Sequence, residues 1–111
     1  MQRALVETLG VPERDRFQIV TEHAPGALTF DRSYLDIERS EAFVLVHVTL
    51  AAGRTTAAKQ AFYARLAELL ADAVALPPED LSVVLVENDR GDWSFGHGRA
   101  SYLELPRERW R

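Results

Sequence analysis

The 111-residue sequence predicts an α/β (α+β) domain built from a duplicated β-α-β unit, with the first strand and most of the first helix missing from the first copy. Three observations point there. Residues 43–87 spell strand, helix, strand, and a helical crossover makes two neighbouring strands parallel with a right-handed connection. An offset of 65 residues maps the start of the chain onto its second half. The length and balance, with 47% apolar and 27% charged residues, suit one globular domain with one core and leave little room for a second. The expected division of the single domain 1–111 is a truncated first unit over 1–40, a second unit over 41–103 and a tail over 104–111.

Residues 4–9 read as the end of a helix. Leu5 and Leu9 share a face at i, i+4, Gly10 supplies the stop, and Pro12 blocks resumption. Only about two turns precede that stop, too few for an isolated helix. From Arg16 to Glu22, Phe17, Ile19 and Thr21 alternate with Gln18, Val20 and Glu22, the pattern of a strand. His23-Ala24-Pro25-Gly26-Ala27 is turn chemistry, and 28–37 reads as irregular or short strand. Phe43 to Leu50 is apolar on nearly both faces, which predicts a strand inside a sheet.

Gly53 and Arg54 mark a loop, and Thr55 or Thr56 can cap the helix that follows. Phe62, Leu66, Leu69, Leu70 and Ala73 form one apolar stripe, predicting a helix over 56–74, about 28 Å long. Leu76-Pro77-Pro78 ends it. Leu81 to Glu87 is a second buried strand, Asn88-Asp89-Arg90-Gly91 turns, and Trp93-Ser94-Phe95-Gly96 opens a short segment closing near Leu103.

In the repeat, Leu5, Glu7, Leu9, Val11, Pro12, Asp15 and Glu22 correspond to Leu70, Asp72, Val74, Leu76, Pro77, Asp80 and Glu87. Types agree at the helix end, the proline break and the strand end. Shifted back by 65, the strand opening at Phe43 would begin about 22 residues ahead of Met1. The expectation is a reading frame that starts late, with Met1 inside a helix.

Several function classes are excluded by composition. A net charge of −4 speaks against a broad nucleic-acid footprint, and Arg107, Arg109 and Arg111, interrupted by Glu108 and Trp110, read as a solvated end. Without cysteine there is no disulfide and no thiolate metal site. His23, His47 and His97 lack ligand spacing, so no metal is expected; His47, between Val46 and Val48, is expected as a core or interface histidine. Gly91, Gly96 and Gly98 imitate a phosphate loop, but no long helix follows them. No apolar run approaches the roughly 18 residues of a membrane span, and Met1-Gln2-Arg3-Ala4 lacks signal-peptide form. The default location is the cytoplasm.

The chain resembles the tautomerase superfamily, most closely its malonate semialdehyde decarboxylase-like branch. The residues that carry the resemblance are Gly10-Val11-Pro12, Asp15-Arg16-Phe17-Gln18, Val20-Thr21-Glu22-His23 with Pro25-Gly26, Phe62-Tyr63, Leu85-Val86-Glu87-Asn88, and Asp92-Trp93-Ser94-Phe95-Gly96-His97-Gly98-Arg99-Ala100. The resemblance implies an isomerase or lyase acting on a small oxo-carboxylate, a homotrimer with pockets near subunit contacts, and no cofactor. It also implies an amino-terminal proline whose secondary amine moves a proton or polarises a carbonyl; this sequence opens Met1-Gln2 instead.

Asp15 takes the place of the family's catalytic aspartate. Arg54 takes that of one substrate-binding arginine, while its partner's position holds Ala52. A guanidinium suits the task because it holds a carboxylate by two parallel hydrogen bonds. Trp93 and Phe95 correspond to the apolar pocket wall. Apart from the resemblance, Asp15 reads as a loop acid, Arg54 as a solvated arginine ahead of a helix, and Trp93 and Phe95 as packing. The alternative function is a non-catalytic member that oligomerises or binds a small carboxylate.

Overall fold

Gly10 sets the first boundary. In the computed structural model, which describes residues 1–105, helix α1 runs Gln2–Leu9 and stops where Gly10 turns left-handed (φ 67°). Val11 N–H reaches back to Leu5 C=O at 3.3 Å, satisfying a carbonyl the helix would leave open. Residues 12–43 then follow with no strand and a single 3₁₀ turn, Tyr34–Asp36.

Strand β1 spans Val44–Ala51, helix α2 Thr56–Val74 and strand β2 Leu81–Asn88. The strands pair in parallel, from Val44 opposite Leu81 to Ala51 opposite Asn88. The Thr55 hydroxyl accepts from Ala58 N–H at 3.1 Å, so the expected cap is in place. A 3₁₀ turn at Arg90–Asp92 and the one-turn helix α3, Ser101–Glu104, complete the described residues. The tail arginines Arg107, Arg109 and Arg111 lie outside them.

The core sits between the two long helices and one face of the sheet. Ala4, Leu5 and Leu9 of α1 meet Phe62 and Leu66 of α2 and Leu50 of β1, with Val46, Val48, Val83 and Leu85 packed against them. Those strand residues are alternate ones, so both strands turn the same face to the helices. The opposite face is bare: Leu45, Val84 and Val86 are each 42–50% exposed. Lys59 of α2 pairs with Glu87 of β2, and the Glu87 carboxyl lies below its usual range because that ammonium holds its charged form. Glu7 likewise accepts from Arg65 and Arg3, both at 2.8 Å, tying α1 to α2. Asp80, buried, accepts from Ser40 N–H and Ser40 Oγ–H, both at 2.6 Å, and so ties the long loop to the start of β2.

The 65-residue correspondence has a conformational counterpart at the helix ends. Ala75 is left-handed like Gly10, Leu76 N–H bonds Leu70 C=O as Val11 N–H bonds Leu5 C=O, and Asp80 N–H bonds Pro77 C=O as Asp15 N–H bonds Pro12 C=O. The correspondence stops there.

Residues 16–22 form no strand. Phe17, Ile19 and Val20 are 76–93% exposed, because alternation signals a strand only where a neighbouring backbone takes up the amides, and no neighbour lies beside this segment among the described residues. The strand predicted over 43–50 forms, but in a two-stranded sheet it has one partner rather than two. For the same reason His47 lies on the bare face, exposed and outside the core of this chain. Ala73 leaves the predicted stripe and is exposed near the end of α2. No helix among the described residues is long and apolar enough to cross a membrane.

Candidate active site

Parallel strands direct their carboxyl ends to the same edge, and loops leaving that edge gather in a common place. Here the loop after β1 brings Arg54 and the segment after β2 brings Trp93 and Phe95. Together with the turn that follows α1, they line one cleft of about 830 Å³. The proline break after α1 delivers Asp15 to the same cleft. All four predicted site residues therefore meet, although they come from three separate stretches of chain.

Arg54 is half-buried and held. Its Nε donates to Leu9 C=O at 3.0 Å and its Nη1 to Ala51 C=O at 2.9 Å. Leu9 is the last residue of α1, where unpaired carbonyls favour a cation. Nη2 has no hydrogen-bond partner among the described residues, and Arg54 lines the cleft. Ala52, at the position of a possible second arginine, is exposed on the cleft rim and offers only a methyl group.

Asp15 is half-buried and fixed from two directions. The Gln2 side-chain amide donates to its backbone carbonyl at 3.0 Å, and the Tyr102 hydroxyl donates to Asp15 Oδ2 at 3.0 Å. The wall beside it is aromatic. Trp93 and Phe95 lie nearly parallel, 5.5 Å between centroids, and Tyr102 meets both edge-on at 6.0 and 5.1 Å. Phe17 leans on Phe95 at 5.4 Å. Trp93 Nε1–H is taken by Asn88 Oδ1 at 2.7 Å, which anchors the indole ring itself, and the Phe95 backbone N–H by Ser101 Oγ at 3.0 Å, which fixes the chain that carries the phenyl ring.

Burial, followed by the hydrogen bond to Asp15 and its negative charge, pushes the Tyr102 hydroxyl up to about 12, against the opposing pull of Arg54 and Arg90. Tyr102 thus remains a hydrogen-bond donor throughout the physiological range. A smaller cavity of about 440 Å³ lies against the same Asp15, Phe17, Phe95 and Tyr102 wall, bordered by Arg14 and His97. Among the described residues no group of three or more His, Asp or Glu side chains is arranged to hold a metal ion.

Sequence reasoning missed Tyr102, Arg90, Phe17 and Gln2 as cleft residues. Phe17 reads from sequence as part of a strand and Arg90 as part of a turn. Tyr102 and Gln2 carry no local motif, and only folding brings positions 2, 15 and 102 together.

A family model described as a tautomerase enzyme matches residues 15–96. Among curated relatives, the Bacillus subtilis (strain 168) protein named "Probable tautomerase YrdN" is 40% identical over 99 residues, covering 89% of this chain and 76% of that one. "Probable tautomerase YusQ" from the same organism is 34% identical over 104 residues, covering 94% and 82%. Among solved structures, a malonate semialdehyde decarboxylase superposes with a TM-score of 0.85 at 40% identity, covering 92% of this chain and 78% of the other.

Proposed function

The chain belongs to the tautomerase enzyme family, and from that membership we propose that it is an isomerase or lyase acting on a small 2-oxo or 3-oxo carboxylate. The observation that supports this most is Arg54, pinned through Nε and Nη1 in the cleft that also holds Asp15. The unpartnered edge of the guanidinium takes the substrate carboxylate. Trp93 and Phe95 exclude water beside it, which strengthens that charge contact. Asp15 accepts a proton or orients a water next to the reacting carbon. In a ketonisation, the enol oxygen gives up its proton as the carbon bearing it becomes a carbonyl, and the other carbon of the double bond gains a proton, so one acid and one base suffice and no cofactor is required.

In this proposal a proline amine from a segment N-terminal to Met1 moves the proton. Pro12 lines the cleft, but its ring nitrogen lies in a peptide bond and has no basic lone pair. The protein would act as a homotrimer, an assembly that would cover the bare face carrying Leu45, Val84 and Val86.

Phenylenolpyruvate ketonisation, followed spectroscopically, is the test. The expected outcome is turnover that rises at least about tenfold when an N-terminal strand and helix opening on proline are supplied, and that falls with Arg54→Ala. Equal rates with and without that segment would remove the proline's role. The methyl of Ala52, at the position of a second arginine, also favours a second reading, a carboxylate-binding member without turnover. Binding of pyruvate by calorimetry in the absence of any ketonisation would select it.

A further inference from the structure

We propose that Tyr102 is a positioning residue, whose hydroxyl holds one oxygen of the Asp15 carboxylate so that the other faces the ligand in the Arg54 cleft; this rests on the functional reading above. Neither composition nor any local pattern singles out Tyr102, yet its hydroxyl sits 3.0 Å from Asp15 Oδ2, across 87 residues of chain. Both side chains are half-buried, and both line the cleft.

The arrangement restricts Asp15 at both ends. The Gln2 amide, from α1, fixes its backbone by donating to the carbonyls of Pro12, Glu13 and Asp15 at 3.4, 3.3 and 3.0 Å. Tyr102, from α3, fixes its carboxylate. Oδ1 has no hydrogen-bond partner among the described residues, so it is the oxygen available to a substrate proton or a water. A carboxylate able to rotate would present either oxygen, or neither, at the reacting carbon; holding one oxygen removes that freedom before the substrate arrives. The Tyr102 ring is itself braced edge-on against Trp93 and Phe95, so its hydroxyl cannot move away without breaking ring contacts. The same tyrosine therefore joins the acid of the site to its apolar wall. Its hydroxyl keeps its proton well beyond neutral pH, so it donates rather than accepts under working conditions.

Tyr102→Phe keeps the ring and removes only the hydroxyl, which separates positioning from packing. With Tyr102→Phe and Asp15→Ala made singly and together, ketonisation gives a double-mutant cycle. Tyr102→Phe is expected to lower kcat about tenfold with KM within about twofold, and to cost less than about twofold more once Asp15 is already alanine. In parallel, the tyrosinate titration of the Asp15→Ala protein, with the Tyr102 signal identified by its loss in Tyr102→Phe, should have its midpoint moved down from about 12 toward the ordinary value of about 10. An unchanged kcat in Tyr102→Phe, or the same fold-loss with and without Asp15, would overturn the proposal. If the protein turns over no oxo-acid even with the proline-opening segment supplied, it is the functional reading that fails, and the titration decides the pairing: a midpoint unmoved by Asp15→Ala overturns it, and a lowered one upholds it.

Discussion

Arg54 shows how a long flexible side chain becomes a directed one. Two backbone carbonyls, Leu9 and Ala51, use Nε and Nη1, and the rest of the guanidinium is left to a ligand. Arg54→Ala should therefore weaken pyruvate binding about tenfold to a hundredfold, measured by calorimetry. Asp80 gives a residue-level prediction about stability. The Ser40 hydroxyl, and then its backbone N–H, hold the Asp80 carboxyl below its usual value. A depressed folded-state value stabilises the fold above the ordinary range near 3.8 and loses that contribution as pH falls through the lower, folded value. Glu7 and Glu87 act in the same direction. Ser40→Ala should thus move the acid-unfolding midpoint to higher pH, followed by circular dichroism. Tyr102 works with the opposite sign: its value is raised, so its contribution is complete below about 10 and fades as pH climbs toward about 12. Asp15, Trp93 and Phe95 were legible as candidates because each stood within a resembling stretch, and Arg54 because it stands ahead of α2 at the place of a substrate-binding arginine. Tyr102 was not, since a lone tyrosine between Ser101 and Leu103 has no pattern until the fold places it.

At the scale of elements, helix α2 was legible to the residue, because its cap, its stripe and its proline stop agree at Thr55, Phe62–Leu66 and Pro77. Thr55→Ala should cost about 1 kcal/mol. Leu66→Ala, which empties a fully buried site against α1, should cost about 2–5 kcal/mol in chemical denaturation. The paired helix ends allow a sharper comparison. Gly10 and Ala75 hold the same left-handed conformation, but only one is glycine. Ala75→Gly should stabilise, and Gly10→Ala destabilise, each by about 1 kcal/mol in the same measurement. The segment 16–22 was misread for a reason that lies outside itself. Its alternation is real, but strand formation depends on a neighbouring backbone, and periodicity carries no information about whether one is present.

Over the whole molecule, two groups of uncovered apolar side chains bear on assembly. Leu45, Val84 and Val86 occupy the bare sheet face, and Phe17, Ile19 and Val20 line the extended segment. A small sheet with helices on one side only leaves such a face for other chains to cover. Sedimentation equilibrium should give a mass three times the 12.5 kDa of one chain, and Ile19→Asp should shift that mass downward while leaving the circular dichroism of α2 intact. A single 12.5 kDa species at micromolar concentration would remove the trimer from the proposal.

The loop between Pro12 and Phe43 has a practical outcome for anyone handling the protein. A protease added sparingly should cut first among its exposed residues, at Arg14, Arg16 or Arg32 with trypsin, well before it reaches α2. The two fragments should then travel together through a sizing column. Leu5 and Leu9 remain wedged against Phe62 and Leu66, and Glu7 remains clasped by Arg65, so the severed front end has reason to stay docked.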